Sequence, residues 1–327
     1  MTFPEYRPRR LLRNGHAMTV YCWARTRTFP RLPAPVARFF DVEPGTRVLA
    51  HCYWQPDAAA RPALIALHGL EGSSEAHYML GIADKAYAAG WSAILLNQRN
   101  CGGTERFSPG LYHSGLTADV DYVLRELAAT EGLARMAVAG YSLGGNLALK
   151  LAGDYGANAP AALRAVGAVS PILEVSACVH ALERPANSAY QWNFVRGLRD
   201  RMRRKDRHHP GAFPVGRLDS VRSVRQFDDL FTAPHFGFAD AEDYYHRVSA
   251  LRVVDRIAVP TLVIAAADDP FVPASLFDDP GLRRNPAVTT LVTRHGGHCG
   301  FVSAPGRGQD DGYWAESTIV AFARQHM

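Results

Sequence analysis

The chain has 327 residues, of which 47% are apolar and 20% charged, and its net charge is +5 at neutral pH. This composition is typical of a globular protein and excludes intrinsic disorder and collagen-like repetition. The longest apolar stretch, Val259–Ala267, reaches only about half of a membrane span, so we predict no transmembrane helix. No apolar run follows the arginine-rich N-terminus to make a signal peptide, and we therefore predict a cytoplasmic protein.

The cysteine content and the charge argue against metals and nucleic acids. The five cysteines are scattered and include no Cys-x-x-Cys pair. This pattern predicts reduced, mostly buried thiols, with neither a disulfide framework nor a zinc site. The small positive excess does not predict nucleic-acid binding.

Strand and helix patterns alternate along most of the chain. Residues 1–45 are rich in proline and arginine and predict an extended N-terminal arm, because proline disfavours helix interiors and central strands. Strands are predicted at Val48–Trp54, Ala63–Leu67, Ala93–Leu96, Met136–Ala139, Ala165–Ser170, Thr261–Ala266 and Val288–Thr293. Helices are predicted at Glu75–Ala89, Asn146–Tyr155 and Tyr313–Arg324, and from Thr117 onward. The alternation predicts one α/β domain over residues 1–327, with a mostly parallel sheet and helices on both faces.

One segment, residues 171–250, lacks a buried strand and interrupts this alternation. We interpret it as a helical lid inserted between two core strands. Its run Arg196–Arg207 carries seven positive and two negative residues. A solvated helix face is the first interpretation, and attraction to anionic substrates or loose docking on a membrane surface are the alternatives. The lid aromatics fit an apolar pocket and core packing equally well: Tyr190, Trp192, Phe194 and Phe236.

The segment Gly140-Tyr141-Ser142-Leu143-Gly144 follows a predicted strand and opens a predicted helix. A G-x-S-x-G sequence in this context predicts a nucleophile elbow, a sharp turn that exposes the serine hydroxyl. Glycine is required at 140 and 144 because the turn leaves no room for side chains there. A glycine-rich turn with an exposed serine is the alternative.

Two later strands end in residues that complete a nucleophile site. An elbow serine needs a histidine base oriented by an acid, in the chain order serine, acid, histidine. Asp268 and Asp269 follow the strand Thr261–Ala266, and we predict that Asp269 is the acid while Asp268 bonds the loop backbone. His298, after the strand Val288–Thr293, is the predicted base. His295 and His298 could instead form a metal pair, but no further ligand cluster accompanies them.

The oxyanion hole of such a site uses two backbone N–H groups. One belongs to the residue after the nucleophile, Leu143, and the other to an early strand–helix loop. The loop His68-Gly69-Leu70-Glu71-Gly72 follows the strand Ala63–Leu67, and we choose Leu70 as the second donor. An ordinary turn is the alternative for His68-Gly69.

Taken together, these segments resemble the YheT-like α/β-hydrolases over nearly the whole chain. The similarity is carried by Asn14-Gly15-His16 with Thr19, His68–Gly72, Tyr112–Gly115, Gly140–Asn146, Phe227-Asp228 with Thr232–Pro234, Gly237-Phe238, Asp243–Tyr245, Asp268–Phe271 and Gly296–His298. The resemblance implies an α/β-hydrolase fold and a carboxylic-ester hydrolase that uses no cofactor. The family usually has glycine at the position of Asn100, and we expect the loop to survive because asparagine tolerates left-handed backbone.

The sequence therefore predicts a serine esterase that acts on a small-molecule acyl ester. Ser142 would attack the ester, His298 would transfer the proton, Asp269 would orient the imidazole, and Leu70 and Leu143 would bind the oxyanion. Acyl transfer to an alcohol or thioester hydrolysis would use the same residues. A non-catalytic binding protein on a hydrolase scaffold is the alternative from another class.

Overall fold

The computed structural model describes residues 3, 5–304 and 311–327. Within these ranges the strands are β1 (Val36–Glu43), β2 (Thr46–Tyr53), β3 (Ala63–Leu67), β4 (Ser92–Leu96), β5 (Met136–Tyr141), β6 (Leu163–Val169), β7 (Thr261–Ala266) and β8 (Val288–Thr293). They form one sheet in the order β1-β2-β4-β3-β5-β6-β7-β8. Pairs β1–β2 and β2–β4 are antiparallel, and the remaining pairs are parallel. The predicted mostly parallel sheet is confirmed.

Helices cover both faces of this sheet, as the strand sequences require. The helices are α1 (Gly15–Ala24), α2 (His77–Ala88), α3 (Thr117–Thr130), α4 (Leu143–Tyr155), α5 (Val175–Leu182), α6 (Ser188–His208), α7 (Val224–Phe227), α8 (Ala233–Phe236), α9 (Ala241–Val248), α10 (Pro280–Arg284) and α11 (Trp314–Arg324). In β3, Ile65 and Leu67 pack into the core beneath α3 and α4, whereas Leu64 and Ala66 pack beneath α2 and α11. Successive side chains of a strand point to opposite faces, so a strand buried on both needs an unbroken apolar run.

The N-terminal residues differ from the predicted extended arm. They contain helix α1 and strand β1, and β1 lies at the edge of the sheet. The side chain of Asn14 caps α1 by accepting a hydrogen bond from the N–H of Ala17 at 3.0 Å. The prolines of this segment lie outside α1 and β1, so they do not prevent either element from forming.

Between β6 and β7 the described chain forms helices and turns but no strand. The end of this insertion is tied to α4 through Asn146. The amide nitrogen of Asn146 donates to the carbonyls of Ser114 and Val248, each at 2.9 Å, and its oxygen accepts from the N–H of Ala250 at 2.8 Å. The apolar residues of the insertion continue the core beneath α3 and α4.

Across the described ranges, no helix has both the length and the apolar character needed to cross a bilayer.

Candidate active site

Ser142 lies on a strained turn between β5 and α4. Its backbone has φ 55° and ψ −114°, a left-handed conformation that is uncommon for a non-glycine residue. A Cβ atom at Gly140 would lie 1.9 Å from the carbonyl oxygen of Gly144, and one at Gly144 would lie 2.4 Å from that of Leu67. Both glycines are therefore required by close backbone contacts, and the turn has the geometry of a nucleophile elbow.

The turn places the serine hydroxyl against an imidazole from another loop. Nε2 of His298 lies 2.9 Å from Oγ of Ser142, and Nδ1 lies 2.9 Å from Oδ2 of Asp269. Asp269 is held in turn by the N–H groups of Phe271 and Val272, which donate to its Oδ1. Because the carboxylate accepts from Nδ1–H, Nε2 carries the lone pair that faces the serine hydroxyl.

The neighbouring Asp268 serves the loop that carries the histidine. Its Oδ1 accepts from the N–H groups of Gly296 and Gly297, both at 2.9 Å, and its Oδ2 contacts Nδ1 of His295 at 3.1 Å. The structure thus brings Asp269, and not Asp268, to His298. His295 and His298 each contact a different carboxylate, and no group of three metal-ligating side chains is found in the described residues.

Helix α1 holds the same histidine loop from the other side, a role that sequence reasoning missed. The backbone N–H of His298 donates to Oγ1 of Thr19 at 2.9 Å, and that hydroxyl donates to the carbonyl of Gly15 at 2.7 Å. A Cβ atom at Gly15 would lie 1.7 Å from the carbonyl oxygen of Asp268. The only available signal was the presence of Asn14-Gly15-His16 and Thr19 among the motifs shared with the YheT-like proteins.

The two predicted oxyanion donors lie together. Leu70 and Leu143 pack in one small cluster and line the same cavity as Ser142. No acceptor for either backbone N–H is found in the part of the chain that the structure describes. At the start of a helix, the N–H of Leu143 is one of the donors that lack a partner within the helix.

The loop that carries Leu70 is held by a buried histidine. His68 contacts the carbonyl of Gly69 through Nδ1 at 2.8 Å and accepts from the N–H of Gln98 through Nε2 at 3.0 Å. Burial lowers the pKa of His68 to about 4, so its imidazole is neutral and can make both contacts at once. His68 therefore holds the loop that carries Leu70 in place and is more than part of an ordinary turn.

An apolar cavity of about 90 Å³ opens at Ser142 beneath the insertion. Much of its wall is aliphatic and comes from the insertion: Ile172, Val175, Val179, Leu182, Leu198 and Val224. Of the four lid aromatics considered above, Phe194 lines this cavity, and Trp192 is exposed instead. A second cleft reaches Ser142 and His298 from the α1 side and is lined by Thr19 and Trp23.

The basic run on α6 is not a uniformly solvated face, which corrects the first interpretation. Arg201 and Lys205 are buried. The guanidinium of Arg201 pairs with Glu71 at 2.5 Å, and Lys205 donates to Oδ1 of Asn100 at 2.7 Å. Asn100 has φ 65°, so the expected left-handed backbone is confirmed, and its side chain supplies an acceptor that glycine would lack.

The environment of His298 shifts its proton affinity. Burial alone would lower the pKa of the imidazole, but the adjacent Asp269 carboxylate raises it, and the net result is a pKa well above the ordinary value. The same carboxylate would stabilise an imidazolium formed during a reaction.

Comparison with known proteins assigns the chain to a family. Residues 62–305 match the family model described as alpha/beta hydrolase fold, which is more than half of the chain. The chain belongs to this family. The hydrolase is 38% identical to the protein YheT of Escherichia coli (strain K12) over 80% of this chain and 76% of that one, which confirms the YheT-like resemblance.

Two further comparisons give a more distant relative in sequence and a solved structure with a similar fold. The phospholipase ABHD3 of Mus musculus is 29% identical over 75% of this chain, which spans only 60% of the length of that relative. The esterase Pf2001 of Pyrococcus furiosus has a similar fold, with a TM-score of 0.61, 16% identity, and coverage of 93% of this chain and 97% of that one.

Proposed function

We propose that this hydrolase is a serine esterase that cleaves carboxylic esters through an acyl-enzyme. The observation that carries the proposal is the continuous chain of contacts from Ser142 Oγ to His298 to Asp269, with 2.9 Å at each step. A serine hydroxyl is a poor nucleophile unless a positioned base removes its proton, and an imidazole oriented by a carboxylate is such a base.

The reaction follows from the placement of these atoms. Oγ of Ser142 attacks the ester carbonyl while Nε2 of His298 takes its proton, and Asp269 stabilises the imidazolium. The N–H groups of Leu143 and Leu70 donate to the oxyanion. His298 returns the proton to the departing alcohol, and then deprotonates the water that releases the acid from Ser142.

The two openings at Ser142 suggest how an ester lies in the site. The cavity beneath the insertion has mostly apolar walls, so it suits the acyl chain. The cleft on the α1 side is bounded by Thr19, Trp23 and Tyr78 and also reaches Ser142. We assign it to the alcohol. The relative named a phospholipase is consistent with a substrate that has a long apolar acyl chain.

A fluorophosphonate probe tests the nucleophile directly. We expect single-site labelling of the folded protein, no labelling of Ser142→Ala, and normal labelling of Ser275→Ala, in which an exposed serine outside the site is removed. Labelling of Ser142→Ala at the wild-type level would refute the proposal and favour a binding protein on a hydrolase scaffold.

Chromogenic esters of graded chain length test the cavity assignment. We expect kcat/KM to rise with acyl length until the cavity is filled, because each buried methylene adds about 0.8 kcal/mol of apolar transfer energy. A CoA thioester and an added alcohol, run in parallel, measure thioester hydrolysis and acyl transfer, the reactions that use the same three residues. If the CoA thioester or the added alcohol reacted faster than water does with the esters, thioester hydrolysis or acyl transfer would be the main activity instead of ester hydrolysis.

A further inference from the structure

The outer face of helix α1 exposes large apolar side chains that its packing does not need. The buried face of α1 consists of Gly15, Met18, Thr19 and Cys22. Outside this buried face, Val20 is 48% and Trp23 is 72% exposed, and Leu11 just before the helix is 92% exposed. A helix that packs on a protein normally buries its apolar stripe and exposes polar residues. Here the exposed stripe is apolar as well.

A second exposed tryptophan lies on α6, the helix that contacts α1 near the site. His16 of α1 stacks on Tyr190 at the start of α6, with ring centroids 5.8 Å apart. Two residues further along α6, Trp192 is 61% exposed. Trp23 in turn lines the cleft that reaches Ser142. We call Leu11, Val20, Trp23 and Trp192 the apolar rim.

The charge around this rim is one-sided. Residues 6–40 contain eight arginines and no aspartate, glutamate or lysine. Several of these arginines pair with distant carboxylates, as Arg27 does with Glu316. In contrast, Arg10, Arg13 and Arg25 are exposed and form no ion pair with any described residue. Among the described residues, no carboxylate therefore neutralises these exposed cations of the segment that carries α1.

We propose that the apolar rim and these three arginines dock this hydrolase onto the surface of an anionic phospholipid bilayer. Tryptophan and arginine are the side chains that suit the headgroup region, where an apolar body and a polar or charged group must be accommodated together. Arg196 stacks on Trp192 at 4.9 Å and adds a further cation at the same place. Docking in this way turns the α1-side cleft toward the lipid. A second copy of the chain fits less well, since its identical patch carries the same positive charge.

Vesicle binding tests the surface independently of catalysis. The Ser142→Ala protein is sedimented with vesicles of phosphatidylcholine alone and of equal parts phosphatidylcholine and phosphatidylglycerol. We expect binding to the anionic vesicles that weakens with salt. Brominated phosphatidylcholine in those vesicles should quench tryptophan fluorescence, because Trp23 and Trp192 would reach the headgroups. Since the proposed function supplies only the reason for docking, loss of probe labelling at Ser142 would leave this measurement unaffected.

Matched variants locate the binding surface. Replacing Arg10, Arg13 and Arg25 by glutamine should weaken partitioning on the order of 10²-fold, because each cation near an anionic surface adds about fivefold. Replacing Arg256, Arg283 and Arg284, which are also exposed, removes the same charge elsewhere and should change it little. For the apolar part, Val20→Gln should weaken binding several-fold, while Val292→Gln, at a similar 45% exposure, should not.

Three results would overturn the proposal. The first is equal binding to neutral and anionic vesicles. The second is an equal loss of vesicle binding in the two sets of arginine replacements. The third is self-association of the protein through α1 that the Arg10, Arg13 and Arg25 replacements alter. Val20→Gln should keep wild-type hydrolysis of a short soluble ester, which would show that any loss of vesicle binding does not come from misfolding.

Discussion

Thr19 and His298 are separated by 279 positions in the chain, yet the backbone N–H of His298 donates a 2.9 Å hydrogen bond to the Thr19 hydroxyl. This contact fixes the loop rather than the imidazole ring. Since the base must meet the serine within a few tenths of an ångström, a small shift of the loop lowers the rate without changing substrate binding.

We therefore expect Thr19→Val to lower kcat on the order of 10-fold with little change in KM. Thr19→Ser, which keeps the hydroxyl, should restore most of the activity. The control is Thr318→Val, because Thr318 is also buried but its hydroxyl has no partner in the described structure. A rise in KM with kcat unchanged would show that Thr19 acts on the substrate cleft and not on the loop.

Substitutions of the adjacent carboxylates Asp268 and Asp269 should have different effects, one on stability and the other on kcat. Asp269→Asn should reduce kcat by about 10² to 10⁴, since the amide favours the wrong imidazole tautomer; the upper figure is the serine-protease example. Asp268→Asn weakens the acceptor of two loop N–H groups, and we expect a loss of about 1 kcal/mol in the free energy of unfolding. Steady-state kinetics and urea unfolding of both variants measure this. If Asp268→Asn proved the slower enzyme, the assignment of the acid would be wrong by one residue.

The pH dependence of kcat/KM should reflect the raised pKa of His298. The protonated imidazole cannot accept the serine proton, so activity falls as the pH drops through this pKa. Because the Asp269 carboxylate raises the pKa, we expect the midpoint above the ordinary 6.5. In Asp269→Asn the raising charge is absent and burial still lowers the pKa, so the midpoint should move down. A rate that stayed constant to about pH 4 would indicate a carboxylate base.

The glycines of the elbow should tolerate no side chain. Gly140→Ala and Gly144→Ala each force a Cβ atom into a backbone oxygen, and we expect each to cost on the order of 3 kcal/mol of folding stability, with loss of probe labelling. Gly216→Ala is the control, since no atom lies within 4 Å of the Cβ it would add. Thermal unfolding of the three variants decides the matter. Wild-type stability of Gly144→Ala would mean that the turn relaxes.

The sequence was sufficient to predict the parts of the site that depend on local rules. The elbow around Ser142 follows from sterics within five residues, and Asp269 and His298 each follow a recognisable strand, β7 and β8. Parallel strands end at one edge of the sheet, which is why residues so distant in sequence could be expected to meet.

Long-range packing accounts for what sequence reasoning missed. The bond from His298 to Thr19 joins a loop to a helix near the N-terminus, and no local pattern indicates such a pair. Arg201 and Lys205 were hidden within a charged run, although they continue the buried face marked by Leu198 and Met202. Helical spacing places these two positions on the buried face, whereas a count of charges along the run does not distinguish them from the exposed arginines. Strand β1 was overlooked because the prolines before it dominated the interpretation.

The position of β2 between β1 and β4 limits how the hydrolase can be shortened. The family match starts at residue 62, after both antiparallel strands. A fragment cut there would leave β4 as an unpaired edge, and all five of its residues are buried in the intact sheet. An exposed apolar edge strand invites pairing with other chains. The family match therefore begins at a residue where the polypeptide cannot be cut without exposing a strand that promotes aggregation.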